Sequence, residues 1–208
     1  MTTNPSTVPK PGAAAKPGTP SKAAAVPRPA ILSRSRVRMV AVLAVSLLLA
    51  FVAVTARVFV WPDLGALPTR ASAIVELGGQ NDDGRDSVAL QLAKAHRAAY
   101  LVQSTTVTDT TNCLPAVPGV TVLCFHANPA TTRGEAEWIG QTASRLGWTS
   151  VILVTTPDQA WRARLRVSRC FPGPVFVATA PLPTLAWFTQ IPYQWAASIK
   201  ALTVQRGC

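Results

Sequence analysis

The sequence predicts an α/β fold: a mostly parallel five-stranded sheet covered by helices on both faces and preceded by one membrane-spanning helix. Three observations point there. From residue 73 onward, short apolar runs alternate with stretches of helical pattern, as in successive βαβ units. Residues 128–171, NPATTRGEAEWIGQTASRLGWTSVILVTTPDQAWRARLRVSRCF, read helix, strand, helix with little between. Residues 39–60 are almost wholly apolar, with Arg57 as the one charge.

Residues 1–30 are mostly Pro, Ala, Lys, Thr and Gly, and no aromatic precedes Phe51. Such a segment buries too little apolar side chain to offset ordering entropy, so 1–36 is expected to be a disordered Pro/Ala/Lys-rich tail. Residues 37–61 then form a helix long enough to cross roughly 30 Å of hydrocarbon. Arg57 can snorkel to the outer interface, where Trp61 also fits. Arg28, Arg34, Arg36 and Arg38 precede the span, which puts the tail in the cytoplasm and the rest outside. A cleavable signal peptide, with Val54-Thr55-Ala56 as its site, is the rival reading. The apolar run exceeds the usual 7–15-residue core of such peptides, so a retained signal anchor is expected.

The net charge of +11 is uneven. Residues 1–62 hold 8 of the 20 basic residues and no acid; the remainder holds 12 basic and all 9 acidic residues, so it is only about +3. The basic N-terminus reads as topology signal and attraction to anionic lipid. No basic patch interleaved with aromatics marks the folded part, so nucleic acid is not an expected partner. The lipid bilayer is. Cys113, Cys124, Cys170 and Cys208 all follow the span, where disulfides persist. Of three possible connectivities, Cys113–Cys124 and Cys170–Cys208 are favoured. The first staples a Pro/Thr-rich loop and the second ties down the last residue. No CxxC spacing supports a zinc or redox site, and His96 and His126 are isolated; no metal or other cofactor is identified.

Residues 62–72 read as a Pro/Gly linker, and 73–208 as the extracytoplasmic domain. Strands are expected at 73–77, 100–103, 120–125, 149–155 and 174–178. Helices are expected at 86–99, 132–146 and 157–169. Gly147 is placed to end the second helix and Pro157 to begin the third. Residues 81–84 are turn chemistry, and 104–119 a loop. The stretch 184–205 is apolar and helical in pattern, with Pro192 expected to break or kink it. Its Trp187, Phe188, Tyr193 and Trp195 suit a core or a bilayer surface.

In a parallel sheet all strand C-termini share one edge, where helix N-termini and free backbone N–H groups gather. That edge would collect Gly78 and Gly79, Thr132 with Glu135, and Thr156 with Gln159. Gly78-Gly79 either turns the chain or lets backbone approach an anion. Thr132-x-x-Glu135 and Thr156-x-x-Gln159 match capping boxes, each worth about 1 kcal/mol. Glu135 is also a candidate general base. Arg162, Arg166 and Arg169 share a helix face, and such runs are usually solvated. Arg162 is close enough to its helix start to reach the edge, and a guanidinium suits phosphate or carboxylate. Arg85 is a candidate second cation. No Ser-His-Asp set or GxSxG provides a nucleophile.

Over residues 73–176 the motifs Leu77-Gly78-Gly79, Asp83-Gly84-Arg85, Thr132-Arg133-Gly134-Glu135-Ala136 and Val154-Thr155-Thr156-x-x-Gln159-x-x-Arg162-Ala163 resemble those of the SanA/ElyC/YdcF family of bacterial envelope proteins. The resemblance implies a Rossmann-like three-layer α/β/α domain, a membrane anchor, and a role in envelope integrity and peptidoglycan or lipid-carrier metabolism. Family members usually carry His where this chain has Gln159, after Thr-Ser rather than Thr155-Thr156. Glutamine hydrogen-bonds but accepts no proton at neutral pH. The expectation is a domain that binds, and processes if it turns over at all, a phosphorylated envelope precursor such as a polyprenyl phosphate. Catalytic candidates are Glu135 and Gln159; ligand-binding candidates are Gly78, Gly79, Arg85, Thr132, Thr156 and Arg162. The alternatives are a non-catalytic scaffold and a nucleotide or S-adenosylmethionine binder.

Overall fold

The computed structural model describes residues 1–2, 34–79, 84–105 and 113–208. Most of the expected 1–36 tail, the 81–83 part of the turn and residues 106–112 of the loop lie outside the described residues. The chain falls into two compact units, Met1–Val42 and Leu43–Cys208, divided within the first helix.

Helix α1, Arg34–Thr55, buries none of its residues. A wider π-helical turn, Ala56–Val60, continues it. Together they are long and apolar enough to cross a membrane. Arg57 bends along the helix end, donating from Nη1 to the Trp61 carbonyl at 2.9 Å and pairing with Asp63 at 3.1 Å.

The five strands are β1 Ala71–Glu76, β2 Ala98–Thr105, β3 Thr121–His126, β4 Val151–Thr155 and β5 Val175–Thr179. All pair in parallel, in the order β3-β2-β1-β4-β5. The chain reverses its direction of travel across the sheet between β1 and β4, the place where doubly wound sheets open a crevice at their C-terminal edge. The helices are α2 Arg85–Lys94, α3 Thr132–Leu146, α4 Pro157–Cys170 and α5 Trp187–Thr203.

Alternation along the strands sorts side chains into two cores. Ala73, Val75, Leu77, Val151, Leu153 and Val177 pack with Ile139 of α3 and Ala163 and Val167 of α4. Ile74, Leu101, Ile152 and Val154 pack with Ala89 and Ala93 of α2 and with Leu114 and Val117. The result is three layers, α/β/α, as the sequence predicts. On the second face the described part of the β2–β3 connection, residues 113–120, is stapled to β3 by Cys113–Cys124. The other disulfide, Cys170–Cys208, joins the end of α4 to the last residue.

Several expectations are corrected in detail. The helix expected over 86–99 stops at Lys94, because His96 adopts a left-handed φ of 51° and its N–H turns back to the Ala93 carbonyl. The freed alanines, Ala98 and Ala99, open β2 instead. Strand β1 starts two residues inside the expected linker, since Ala71 N–H finds the Arg97 carbonyl at 2.8 Å. Pro192 does not divide the last helix, which runs through it from Trp187.

Chain-entropy estimates give about 4 kcal/mol for a loop of the Cys170–Cys208 length and about 3 kcal/mol for that of Cys113–Cys124. Paired alanine substitutions at 170 and 208 should therefore lower the urea midpoint more than paired substitutions at 113 and 124. The measurement is equilibrium unfolding of the full chain in detergent.

Candidate functional site

At the C-terminal edge of the sheet lies an open cavity of about 450 Å³. Gly78, Gly79, Thr132, Glu135, Thr156, Gln159 and Arg162 all line it. Turns that are far apart in sequence meet there because β1, β2 and β4 run in parallel and end together.

Glu135 occupies the floor. Its Oε1 accepts the Gly78 N–H at 2.6 Å, and the Ser104 hydroxyl at the end of β2 donates to the same carboxylate. A side chain at position 78 would crowd this contact, since a Cβ there would lie 3.1 Å from Oε1 and 3.2 Å from the Ser104 oxygen. Burial raises the carboxyl above its ordinary value; the two hydrogen bonds, Arg85 and Arg162 pull the other way and do not offset it.

Arg162 also lines the cavity and is only 7% exposed. Its Nε donates to Gln194 Oε1 at 2.9 Å and its Nη1 to Thr132 Oγ1 at 3.0 Å. Gln194 in turn donates from Nε2 to Asp158 Oδ2 at 2.8 Å. The guanidinium also sits over the Tyr193 ring, 5.9 Å from its centroid. These contacts hold two edges of the guanidinium and leave Nη2 without a hydrogen bond among the described residues. Burial lowers the Arg162 pKa from its ordinary value while Tyr193, Glu135 and Asp158 raise it.

The capping expectations are corrected. The cap of α3 is Thr131, whose hydroxyl accepts the Gly134 N–H at 3.3 Å. Thr132 is the first helical residue, so its hydroxyl is free to receive Arg162, and Glu135 reaches the Gly78 backbone instead of its own helix start. Thr156 does stand at the cap position of α4, yet its hydroxyl makes no cap bond and has no partner among the described residues. The capping box with Gln159 therefore does not form.

Arg85 does not line the cavity. It is buried behind Gly79 with Nη1 on the Leu77 carbonyl at 2.5 Å. A Cβ at Gly79 would collide with this guanidinium, 1.8 Å from Nη2, so glycine is required where the chain passes over it. Nor do Arg166 and Arg169 form a solvated face, although Arg164 beside them is exposed. Arg166 donates to the Gln205 side chain and carbonyl, and Arg169 to the Ala201 and Gln205 carbonyls, clasping the end of α5.

Sequence reasoning missed Ser104, Asp158, Gln190 and Gln194. Only the glutamines leave a signal: Gln190, Gln194 and Ser198 recur at helical spacing in an otherwise apolar stretch. Among the described residues no group of three or more His, Cys, Asp or Glu is arranged to hold a metal ion. No family model, no curated protein and no solved structure matches this chain.

A group whose folded pKa lies above its unfolded one stabilises the fold most fully below the unfolded value and loses that contribution as pH rises through the folded value. Glu135 should therefore make the protein less stable as pH climbs from about 4.5 towards its raised value. Glu135→Gln keeps an oxygen for the Gly78 N–H and cannot ionise. Urea midpoints taken across that window should fall for the wild type and fall less for the variant.

Proposed function

We propose that this chain is a membrane-anchored envelope protein whose extracytoplasmic domain binds the phosphate end of an amphiphilic precursor, such as a polyprenyl phosphate. The observation that carries the reading is the buried Arg162, held rigidly with Nη2 left over beside the cavity. Around it stand the N-termini of α3 and α4, which favour negative charge, and the Thr156 hydroxyl, which has no partner among the described residues. A fixed guanidinium loses little freedom on meeting a phosphate and presents a planar fork matched to its oxygens.

Placement outside the cytoplasm is supported by two disulfides and by Arg34, Arg36 and Arg38 ahead of the apolar helix. The resemblance to SanA/ElyC/YdcF proteins favours the same compartment and the same class of ligand.

The Glu135 carboxyl carries its proton to higher pH than an ordinary glutamate, which eases approach of an anion. It is also a cavity residue able to donate a proton to a departing oxygen. Gln159, which also lines the cavity, has no proton-accepting group, so the arrangement favours binding over turnover. A non-catalytic binding module is therefore the second reading, favoured by that glutamine.

The test is calorimetric titration of the full chain in nanodiscs with farnesyl phosphate. The wild type should bind. Arg162→Lys, checked for folding by thermal denaturation, should weaken binding on the order of tenfold to a hundredfold, since a charge-assisted hydrogen bond is worth about 1.5–3 kcal/mol. A wild type that does not bind, or a folded variant that binds as tightly, overturns the proposal.

A further inference from the structure

Helix α5 is amphipathic the wrong way round for water. Its inward side carries Gln194 and Ser198, both buried, with Gln190 on the cavity; Gln205, just past the helix, meets Arg166. Its outward side, with the turn before it, carries Leu185, Phe188, Ile199 and Leu202, exposed by 81%, 79%, 54% and 46%. A soluble domain turns such a helix over, because exposing large apolar groups while burying glutamines loses free energy on both counts. The arrangement is stable when what lies outside is itself apolar.

The structure indicates which apolar phase that is. Trp195, on α5, stacks on Phe51 of α1 with ring centroids 5.4 Å apart, and meets Phe59 edge-on at 5.3 Å. Its indole N–H donates to Thr55 Oγ1 at 3.1 Å. Thr55 precedes the end of the apolar helix, Val60, by five residues, or about 7 Å of helical rise. An interfacial helix lies about 5–10 Å into the boundary between headgroups and acyl chains, so α5 sits at the right depth. The charges agree. No acidic residue follows Asp158, and Lys200 and Arg206 occupy the last turn and the tail, ready for anionic headgroups.

We infer that the outward face of α5, from Leu185 through Phe188 and Ile199 to Leu202, is embedded in the leaflet of the bilayer that α1 spans. The helix then separates two environments. Its apolar side meets acyl chains, while its polar side holds Arg162 and walls the cavity through Gln190 and Tyr193. The inference holds whatever the cavity binds.

The test uses the full chain reconstituted in phosphatidylglycerol vesicles, with a p-benzoylphenylalanine probe placed at Phe188, at Ile199, or at Leu146 on the α3 end away from the cavity. Irradiation should add the mass of a phospholipid at 188 and 199 and leave the 146 probe without lipid. Crosslinks at 188 and 199 to a second copy of the chain, in place of lipid, would show a dimer face and overturn the inference. So would lipid adducts at none of the positions, or equally at all three. The variants remain informative because both side chains project outward and their replacement disturbs no core. As a check, Phe188→Gln combined with Ile199→Gln should leave the thermal midpoint in detergent unchanged.

Discussion

Everything near the cavity depends on keeping one cation out of water. A guanidinium as buried as Arg162 is tolerated only where its N–H groups find acceptors, and it finds them on two different helices. Thr132 supplies one from α3 and Gln194 another from α5, while Asp158 on α4 orients that glutamine from behind. The same requirement fixes the helices. With those bonds made from Nε and Nη1, α3, α4 and α5 stand in one arrangement around the edge where β1 and β4 end. The site and the packing of that side of the molecule are thus one network. Glu135 adds a second, tied to the sheet through Gly78 and Ser104.

The architecture was legible because its signals are local. A threonine-flanked run of Val, Ile and Leu makes a strand buried on both faces, and Gly147, with φ of 70°, ends α3 where the sequence places it. Parallel strand ends then predict which turns converge, and Gly78, Glu135, Thr156, Gln159 and Arg162 do converge. What local pattern does not settle is the direction of a side chain. Thr132-x-x-Glu135 fits a capping box, but Thr131 beside it takes the cap and releases both residues for long-range bonds. Arg85 looked available in a turn and is spent beneath Gly79 on the backbone of the same edge. The helix end at His96 was equally hidden, since a positive φ in a non-glycine residue leaves little trace in sequence.

Helix α5 shows where composition misleads. Its tryptophans, phenylalanine and isoleucines suit a core helix, and the core reading follows if water is assumed outside. The distribution of its glutamines carries the opposite message. Gln194 faces inward because Arg162 and Asp158 need a partner, and Gln190 lines the cavity. The polar cavity and the apolar exterior of α5 are therefore two consequences of one choice of helix phase. With the anion site and the lipid contact proposed above, such a phase would set the cavity edge beside a lipid surface, where a phosphorylated amphiphile can present its head and keep its tail in the bilayer.

The most direct measurement is the side-chain ¹⁵N resonance of Arg162 in the full chain in nanodiscs, followed while farnesyl phosphate is added. Binding at Nη2 predicts a saturable shift of that resonance, with the Gln194 side-chain amide moving alongside it because the two are hydrogen-bonded. Both resonances staying fixed while the ligand saturates the protein would contradict the account.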